Sequence, residues 1–169
     1  ASKVYDVELD KVTPDMRRNA KTVNFGIVYG ISAFGLSERL NIPRGEAKDI
    51  IDAYFEQYPG VKKYMDESIA FAKKHGYVKT MMGRRRYLRD INASNSVVRG
   101  FAERNAINAP IQGSSADMIK IAMIRIFNEM RKQQLKSQMI LQVHDELVFD
   151  VFKEEVEKIK PIIEENMKK

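Results

Sequence analysis

Apolar residues recur at helical spacing early in the chain and predict its first strong element. They are Met16, Ala20, Val23 and Ile27. Because an α-helix turns once in 3.6 residues, this spacing places all four on one face, which indicates an amphipathic helix seated on a core. Thr13 suits the N-cap of this helix, and Gly30 can adopt the left-handed conformation that ends it.

The same pattern predicts further helices along the chain. We expect them at residues 32–40, 44–58, 61–75, 94 or 95 to about 108, 113–134 and 153–169. Pro110 is expected to interrupt the long polar and apolar repeat, because proline removes a backbone donor and clashes with the preceding turn. Residues 1–11 are interpreted as an irregular lead-in.

Two segments change to strand-like alternation. The first centres on Gly83 and carries Arg84, Arg85 and Arg86 on its second arm, which predicts a β-hairpin. Its arginines either contact phosphate or form a solvated turn. The second, residues 139–151, has two apolar runs around a polar tip and predicts a tight hairpin that lifts carboxylates out of a buried sheet. The predicted fold class is α+β, mainly helical, with small antiparallel β-hairpins.

Composition narrows the class of protein. With 169 residues and 44% hydrophobic content, the chain can bury a core of one domain. It has no cysteine, which excludes disulfides and cysteine-ligated zinc. Because no apolar run approaches the ~20 residues that cross a bilayer, we expect a soluble, intracellular protein with no membrane partner.

Charge is unevenly distributed. The formal net charge is +6, with +9 on residues 1–143 and −3 on residues 144–169. A basic body suggests a polyanionic partner, although charge alone does not separate DNA from RNA or an acidic protein.

A second stripe on the first helix carries candidate chemistry. Arg17, Lys21, Phe25 and Tyr29 recur every four residues, two cations followed by two aromatic rings. This order suits an anion next to a flat ring. The alternative is a solvated basic face beside two half-buried aromatic residues.

A polar row follows in the long helical region. Arg104, Asn108 and Gln112 share a spacing of four residues at the bend expected near Pro110. Such donors can reach base-edge acceptors in a minor groove, whose pattern is degenerate. Ordinary hydrogen bonding between helices is the alternative.

The tip of the second hairpin holds His144, Asp145 and Glu146. Adjacent carboxylates repel each other unless a cation compensates, and oxygen ligands suit Mg²⁺. The tip is therefore a candidate metal site, with an ordinary charged turn as the alternative.

Two long motifs resemble one known family. The pattern Arg-Arg-x-x-Lys-x-x-x-Phe-Gly-x-x-Tyr-Gly from Arg17 to Gly30 resembles the nucleotide-binding helix of family A DNA polymerases. The run from Gln142 to Phe149 is similar to the palm motif of that family and follows in the same order. The resemblance extends from about Leu9 to the end of the chain.

The resemblance implies a role for each candidate residue. Arg17 and Lys21 would hold the incoming triphosphate, with Lys21 counted among the catalytic residues. Phe25 would pack on the sugar, and Tyr29 would stack beside the templating base. The remaining implied roles are minor-groove contact by Arg104, Asn108 and Gln112, primer-end contact by His144, and metal binding and catalysis by Asp145 and Glu146.

The resemblance also implies an activity and a domain plan. It implies a DNA-directed DNA polymerase that uses two Mg²⁺ ions, with primer–template DNA and deoxynucleoside triphosphates as partners, in the bacterial cytoplasm at the nucleoid. Residues 1–92 would be fingers and 93–169 part of a palm. Because the earlier palm motif and the thumb are not in these residues, we expect a fragment that binds DNA and nucleotide, needs the missing palm and thumb, and is inactive alone.

Two alternatives come from other classes. A stand-alone helical nucleic-acid-binding module would explain the charge, but not the tip at His144 to Glu146. A metal-dependent hydrolase using Asp145 and Glu146 would need further ligands that the sequence does not display.

Overall fold

Four helices open the computed structural model, which describes residues 1–2 and 7–168. A short 3₁₀ turn at Leu9–Lys11 precedes them, and residues 3–6 of the expected lead-in lie outside the described residues. The helices are α1 (Pro14–Val28), α2 (Ala33–Leu40), α3 (Arg44–Gln57) and α4 (Pro59–His75). Each predicted helix in this part of the chain is confirmed, with ends shifted by two residues at most.

The ends of these helices follow local chemistry. The Thr13 side chain accepts a hydrogen bond from the Met16 N–H at 3.2 Å, and Ser32 accepts one from the Gly35 N–H at 3.1 Å. Both are N-caps that satisfy otherwise unpaired backbone donors. Gly30 has a φ of 77°, which confirms its predicted left-handed conformation after α1.

Two hairpins and two helices complete the secondary structure. Strands β1 (Tyr77–Lys79) and β2 (Arg85–Tyr87) pair antiparallel, as do β3 (Gln138–Val143) and β4 (Glu146–Asp150). The helices are α5 (Ser96–Lys132) and α6 (Val156–Lys168), and a 3₁₀ turn at Lys153–Glu155 precedes α6. The predicted fold class, mainly helical with two small antiparallel hairpins, is confirmed.

The predicted break at Pro110 is wrong. Residues 96–132 form one helix with Pro110 inside it. Proline removes one backbone donor and its ring crowds the preceding turn, but the other turns of this 37-residue helix keep the segment helical across it.

Contacts divide the chain into two compact units, each with its own core. The first unit is residues 1–79 with 85–110, and the second is 80–84 with 111–169. The assignment of 1–92 to fingers and 93–169 to palm is a functional division that these units do not test, and it stays a prediction. Among the described residues, the largest fully buried side chains of the first unit are those of Ile27, Leu36 and Ile91, and those of the second are Ile126 and Ile159.

The stripe predicted to seat α1 on a core is buried in its C-terminal half, whereas Met16 and Ala20 are half-buried. Val23 and Ile27 are buried with Leu36 and Ala47, and half-buried residues from α2 and α3 pack around them. This burial fixes which face of α1 turns inward, and therefore which face remains open to a ligand.

The β3–β4 sheet corrects a second expectation. One face packs through Met139, Leu147 and Phe149 on the core of the second unit, but Ile140 and Val143 are exposed. A two-stranded sheet has two faces, and α5 and α6 cover only one of them within this unit. The sheet is therefore half-buried and not buried as predicted.

The last helix turns its apolar residues inward as predicted. Ile159 and Ile162 of α6 are buried against the end of α5. Lys169, the predicted last residue of this helix, lies outside the described residues. Within residues 1–2 and 7–168, no helix combines the length and apolar character needed to cross a membrane.

Candidate functional site

An open cleft of about 720 Å³ runs along α1 in the first unit. Its lining comprises Arg18, Lys21, Thr22, Phe25, Gly26, Tyr29, Ile31, Ser32, Gly35, Arg39 and Arg104. Four of these side chains are cations and two are aromatic rings, and no carboxylate is among them. The cleft is suited to a ligand that combines negative charge with a flat apolar group.

Three of the four residues in the predicted stripe meet in this cleft. The rings of Phe25 and Tyr29 stack with their centroids 6.2 Å apart and an angle of 24° between planes. The Lys21 Nζ lies 5.6 Å from the Phe25 ring centroid, within the range of a cation–π contact. A cation and two parallel rings on successive turns of one helix give an anion site next to a stacking surface.

Arg18 lines the cleft, whereas Arg17 does not belong to this set of described lining residues. Helical geometry explains the difference. At about 100° per residue, Arg18 lies only about 20° around the helix from Tyr29, whereas Arg17 lies about 120° away. A spacing of four residues drifts by about 40° per step, so the stripe leaves the cleft at its N-terminal end. The triphosphate role of Arg17 stays a prediction.

Arg104 reaches the same cleft from α5. A Cβ on Gly30 would lie 3.2 Å from Arg104 Cγ and 3.2 Å from Ile107 Cδ1, so glycine is what allows α5 to approach the end of α1 this closely. The four-residue spacing of Arg104 in the polar row predicts contact with duplex DNA. It does not show that Arg104 lies in the same cleft as Phe25 and Tyr29. One signal for this contact is present in the sequence, namely Gly30 at the end of α1. A glycine there can indicate that another element packs closely against the backbone, but it does not identify that element.

Asn108 also joins this region. Its Nδ2 donates to the Tyr29 carbonyl oxygen at 3.4 Å, which ties α5 to the residue that carries the cleft's outer ring. This contact is hydrogen bonding between helices, the alternative weighed for the row. Gln112, the third member, is exposed and belongs to the second unit. The DNA-contact roles of Arg104, Asn108 and Gln112 stay predictions.

The second hairpin has a two-residue loop. Val143 pairs with Glu146, which leaves His144 and Asp145 as the turn, and the Gln142 side chain donates to the His144 carbonyl oxygen at 2.8 Å. His144 has a φ of 54°. A non-glycine residue in the left-handed region stores strain of about 1–2 kcal/mol, a cost often found at functional turns.

A smaller cleft of about 320 Å³ in the second unit collects several predicted residues. Its lining is Gln112, Ser115, Ala116, Ile119, Gln142, His144 and Asp145. Gln112, His144 and Asp145 therefore line one surface. Glu146 follows on β4 and is exposed.

The carboxylates at this tip fit a magnesium ion. Mg²⁺ is usually held by one or two protein carboxylates together with substrate phosphates and waters, and Asp145 and Glu146 are exposed at an open turn. Across residues 1–2 and 7–168, no group of three or more potential ligands is arranged to hold a metal ion by itself. The donor set therefore suits an ion that is completed by substrate oxygens or by other protein groups.

Asp117 is committed elsewhere in the second unit. Its Oδ1 lies 2.8 Å from Arg84 Nε. The Thr80 hydroxyl, and then the Arg84 guanidinium, hold the pKa of Asp117 below its ordinary value. A carboxylate held in this way anchors the loop at 80–84.

Comparisons with known proteins agree with the two motifs. The sequence model of DNA polymerase family A matches residues 1–169. DNA polymerase I of Bacillus caldotenax is 52% identical over 167 residues, 99% of this chain and 19% of that protein. DNA polymerase I of Lactococcus lactis subsp. cremoris is 53% identical over 168 residues, again 99% of this chain and 19% of the relative.

A solved structure is similar over nearly the whole chain. The POL domain of Pol1 from M. smegmatis, in complex with DNA primer-template and dNTP, matches with a TM-score of 0.89 and 44% identity. The match covers 98% of this chain and 29% of that one. This chain thus spans about a fifth of the length of the curated relatives that it matches.

Proposed function

Because this chain belongs to DNA polymerase family A, we propose that it takes part in DNA-templated DNA synthesis, adding deoxynucleotides to a primer 3′ end. In this proposal residues 1–92 serve as fingers and residues 93–169 as part of the palm. The partners are primer–template DNA, deoxynucleoside triphosphates, and the remainder of the palm and the thumb. The bacterial sources of the relatives support work in the cytoplasm at the nucleoid.

The observation that carries this proposal is the cleft along α1. Its cations and stacked rings match the two halves of a nucleoside triphosphate, because phosphates need charge and a base needs a flat surface. Lys21 holds phosphate, Phe25 contacts the sugar and Tyr29 stacks at the templating position. Arg17 and Arg18 share the N-terminal turns of the helix, and Arg18 is the one that lines the cleft.

The second unit supplies the chemistry in this proposal. Family A polymerases are generally metal-dependent, and Asp145 and Glu146 would hold Mg²⁺, two ions being used in the complete polymerase. When bound, the ions stabilise the attacking and leaving oxygens of phosphoryl transfer. His144 and Gln112 share a cleft with Asp145. In this proposal His144 contacts the primer terminus and Gln112 contacts the minor groove.

The test replaces Lys21 with alanine in the polymerase that carries this chain. A hydrogen bond to a charged group contributes about 1.5–3 kcal/mol, so kcat/KM for the nucleotide should fall about 10- to 150-fold with little change in DNA affinity. Lys62→Ala is the matched control, because Lys62 lies 5.4 Å from the Phe55 ring much as Lys21 lies over Phe25. Unchanged nucleotide kinetics with weakened DNA binding would contradict the proposal.

A second measurement concerns this chain alone. Two carboxylates form one side of a two-metal site, so the purified chain should bind primer–template yet not extend it with four deoxynucleotides and Mg²⁺. Binding should weaken as salt rises, because counterions are released from the phosphates. Templated extension by the purified chain would show that a further metal carboxylate is present, and Asp150 would be the first to substitute.

A further inference from the structure

A cluster of rings and cations lies on the first hairpin and the C-terminal end of α4, apart from the cleft along α1. We define it as the hairpin ring surface. Its members, all in the first unit, are Phe71, His75, Tyr77, Lys79, Arg85 and Tyr87. None of these residues lines the nucleotide cleft or belongs to the predicted DNA row.

Strand pairing puts the cluster on one face of the hairpin. Tyr77 pairs with Tyr87 and Lys79 with Arg85, and side chains two residues apart on a strand point to the same side. The opposite face carries Val78, which is buried, and Arg86, whose guanidinium donates to Asn105. Three successive arginines therefore have three different surroundings, and only Arg85 belongs to the ring surface.

The rings form a connected group that is open to solvent. Tyr77 contacts Tyr87 at 5.7 Å and Phe71 at 5.7 Å between centroids, both in edge-to-face geometry. Phe71 also lies 4.3 Å from His75. Tyr87 nevertheless remains 66% exposed and Phe71 38% exposed. Large apolar rings left this open on a folded surface mark an interaction site more often than chance.

The cations are held in place by the same rings. The Arg85 guanidinium lies 4.8 Å from the Tyr77 ring centroid, and Lys79 Nζ lies 5.6 Å from it. Tyr77 thus orients charge, whereas Tyr87 and Phe71 keep ring surface free for a partner. Residues 71–89 contain seven lysines and arginines and no aspartate or glutamate. Two of these cations are paired, Lys73 with Glu103 and Arg84 with Asp117. Among the described residues, Lys79 and Arg85 form no ion pair, so this surface favours a partner that combines negative charge with flat apolar groups.

We infer that the hairpin ring surface is a second nucleic-acid contact site that binds an unpaired DNA strand by stacking bases on Tyr87 and Phe71 while Arg85 and Lys79 hold its phosphates. Single-stranded nucleic acid is bound in this way by aromatic platforms in a positively charged groove. Duplex DNA fits less well, because its bases are stacked on each other and present no free face to a ring. This inference goes beyond the proposed function and does not depend on polymerisation.

The test measures binding of a fluorescent oligothymidylate to the purified 169-residue chain by anisotropy. Stacking contributes enough per base that Tyr87→Ala and Phe71→Ala should each weaken binding about 5-fold or more. Tyr87→Phe keeps the ring and should retain the affinity. Phe127→Ala is the matched control, since Phe127 is also exposed and also has an arginine, Arg131, over its ring at 5.7 Å.

An abasic strand of the same length separates stacking from charge. It keeps the phosphates but has no bases, so wild type and Tyr87→Ala should bind it equally. Arg85→Gln should reduce the slope of log affinity against log salt by about 0.7, because one phosphate contact to a single strand is lost. Thermal unfolding of each variant identifies any loss that comes from misfolding, and Tyr87, the most exposed ring of the cluster, is the position where substitution disturbs the fold least.

Two results would overturn the inference. The first is oligothymidylate binding by Tyr87→Ala that equals that of wild type. The second is an equal loss of affinity by Tyr87→Ala for the normal and the abasic strand. This second result would mean that the surface recognises charge and not bases, as it would in an acidic partner. Neither result touches the nucleotide cleft, because Lys21→Ala tests that site separately. A reduced kcat/KM in Lys21→Ala, combined with unchanged oligothymidylate binding by Tyr87→Ala, would reject this surface and leave the proposed function intact.

Discussion

Replacing Gly30 with alanine would test what holds the cleft along α1 together. Two constraints meet at this residue. Its φ of 77° lies in the left-handed region, which costs an L-residue about 1–2 kcal/mol. A new Cβ would also lie 3.2 Å from both Arg104 Cγ and Ile107 Cδ1, and overpacking of this kind typically costs about 1–3 kcal/mol. Combining the two costs, we expect Gly30→Ala to lower the free energy of unfolding by about 2–5 kcal/mol.

Two other glycines separate the two contributions with the same chemical change. Gly76 has a φ of 75° and no atom within 4 Å of the position that an added Cβ would take, so Gly76→Ala should show the backbone cost alone. Gly45 lies inside α3 with open space around it, and Gly45→Ala should stabilise the chain by about 0.5–1 kcal/mol. The expected order of stability, from highest to lowest, is Gly45→Ala, wild type, Gly76→Ala, Gly30→Ala.

Urea unfolding followed by far-ultraviolet circular dichroism gives the required free energies. Nucleotide affinity should also fall in Gly30→Ala but not in Gly76→Ala, since Gly30 contacts a residue that lines the cleft and Gly76 does not. A Gly30→Ala variant as stable as Gly76→Ala would show that α5 does not approach α1 closely. That result would remove Arg104 from the nucleotide site.

Three further outcomes are expected. Ile159→Ala should cost about 2–5 kcal/mol in urea unfolding, because this fully buried side chain fills the core of the second unit; a smaller loss would mean that the core collapses around the gap. His144→Gly should relieve left-handed strain and raise the stability by up to about 1 kcal/mol while it weakens binding of primer–template, and a fall in stability would argue against the strained turn. Hydrogen bonds from the Lys136 N–H and then from Ser137 hold the pKa of Glu155 below its ordinary value of 4.5, so its carboxylate stabilises the fold above that pH and the contribution is lost as the pH falls through the lower folded pKa. Stability measured between about pH 7 and 3 should therefore fall more steeply at the acid end in wild type than in Glu155→Gln, and parallel curves would contradict this assignment.

Local chemistry explains why most of the helices are predictable. N-caps at Thr13 and Ser32 and the left-handed Gly30 are decided by a few neighbouring residues, so the sequence displays them directly. The predicted helix break at Pro110 is wrong because it depends on more than the neighbouring residues. Whether a proline ends a helix depends on how well the turns around it are stabilised, and that is a property of the surroundings and not of the dipeptide.

The sites are predictable by residue type more than by partner. The cations and rings of α1 stand out in the sequence, but the drift of a four-residue spacing around the helix does not, and it substitutes Arg18 for Arg17 in the cleft. The spacing of Arg104, Asn108 and Gln112 predicts DNA contact for Arg104. A linear pattern cannot show that Gly30 lets α5 pack beside α1, so the place of Arg104 in the cleft is not predicted. The exposed face of β3 and β4 escapes prediction because alternation shows which residues share a face and not whether another element covers it.

Arg18 has a further consequence for how the cleft begins to work. Its guanidinium rests 2.7 Å from the Asp15 carboxylate, and both side chains are largely exposed. In the proposed function, an arriving phosphate meets a cation that is already paired, and it competes with Asp15 for that cation. Exposed ion pairs contribute only about 0–1 kcal/mol, so the exchange costs little. Asp15 therefore orients the Arg18 guanidinium while the cleft is empty and gives way readily to a more highly charged anion.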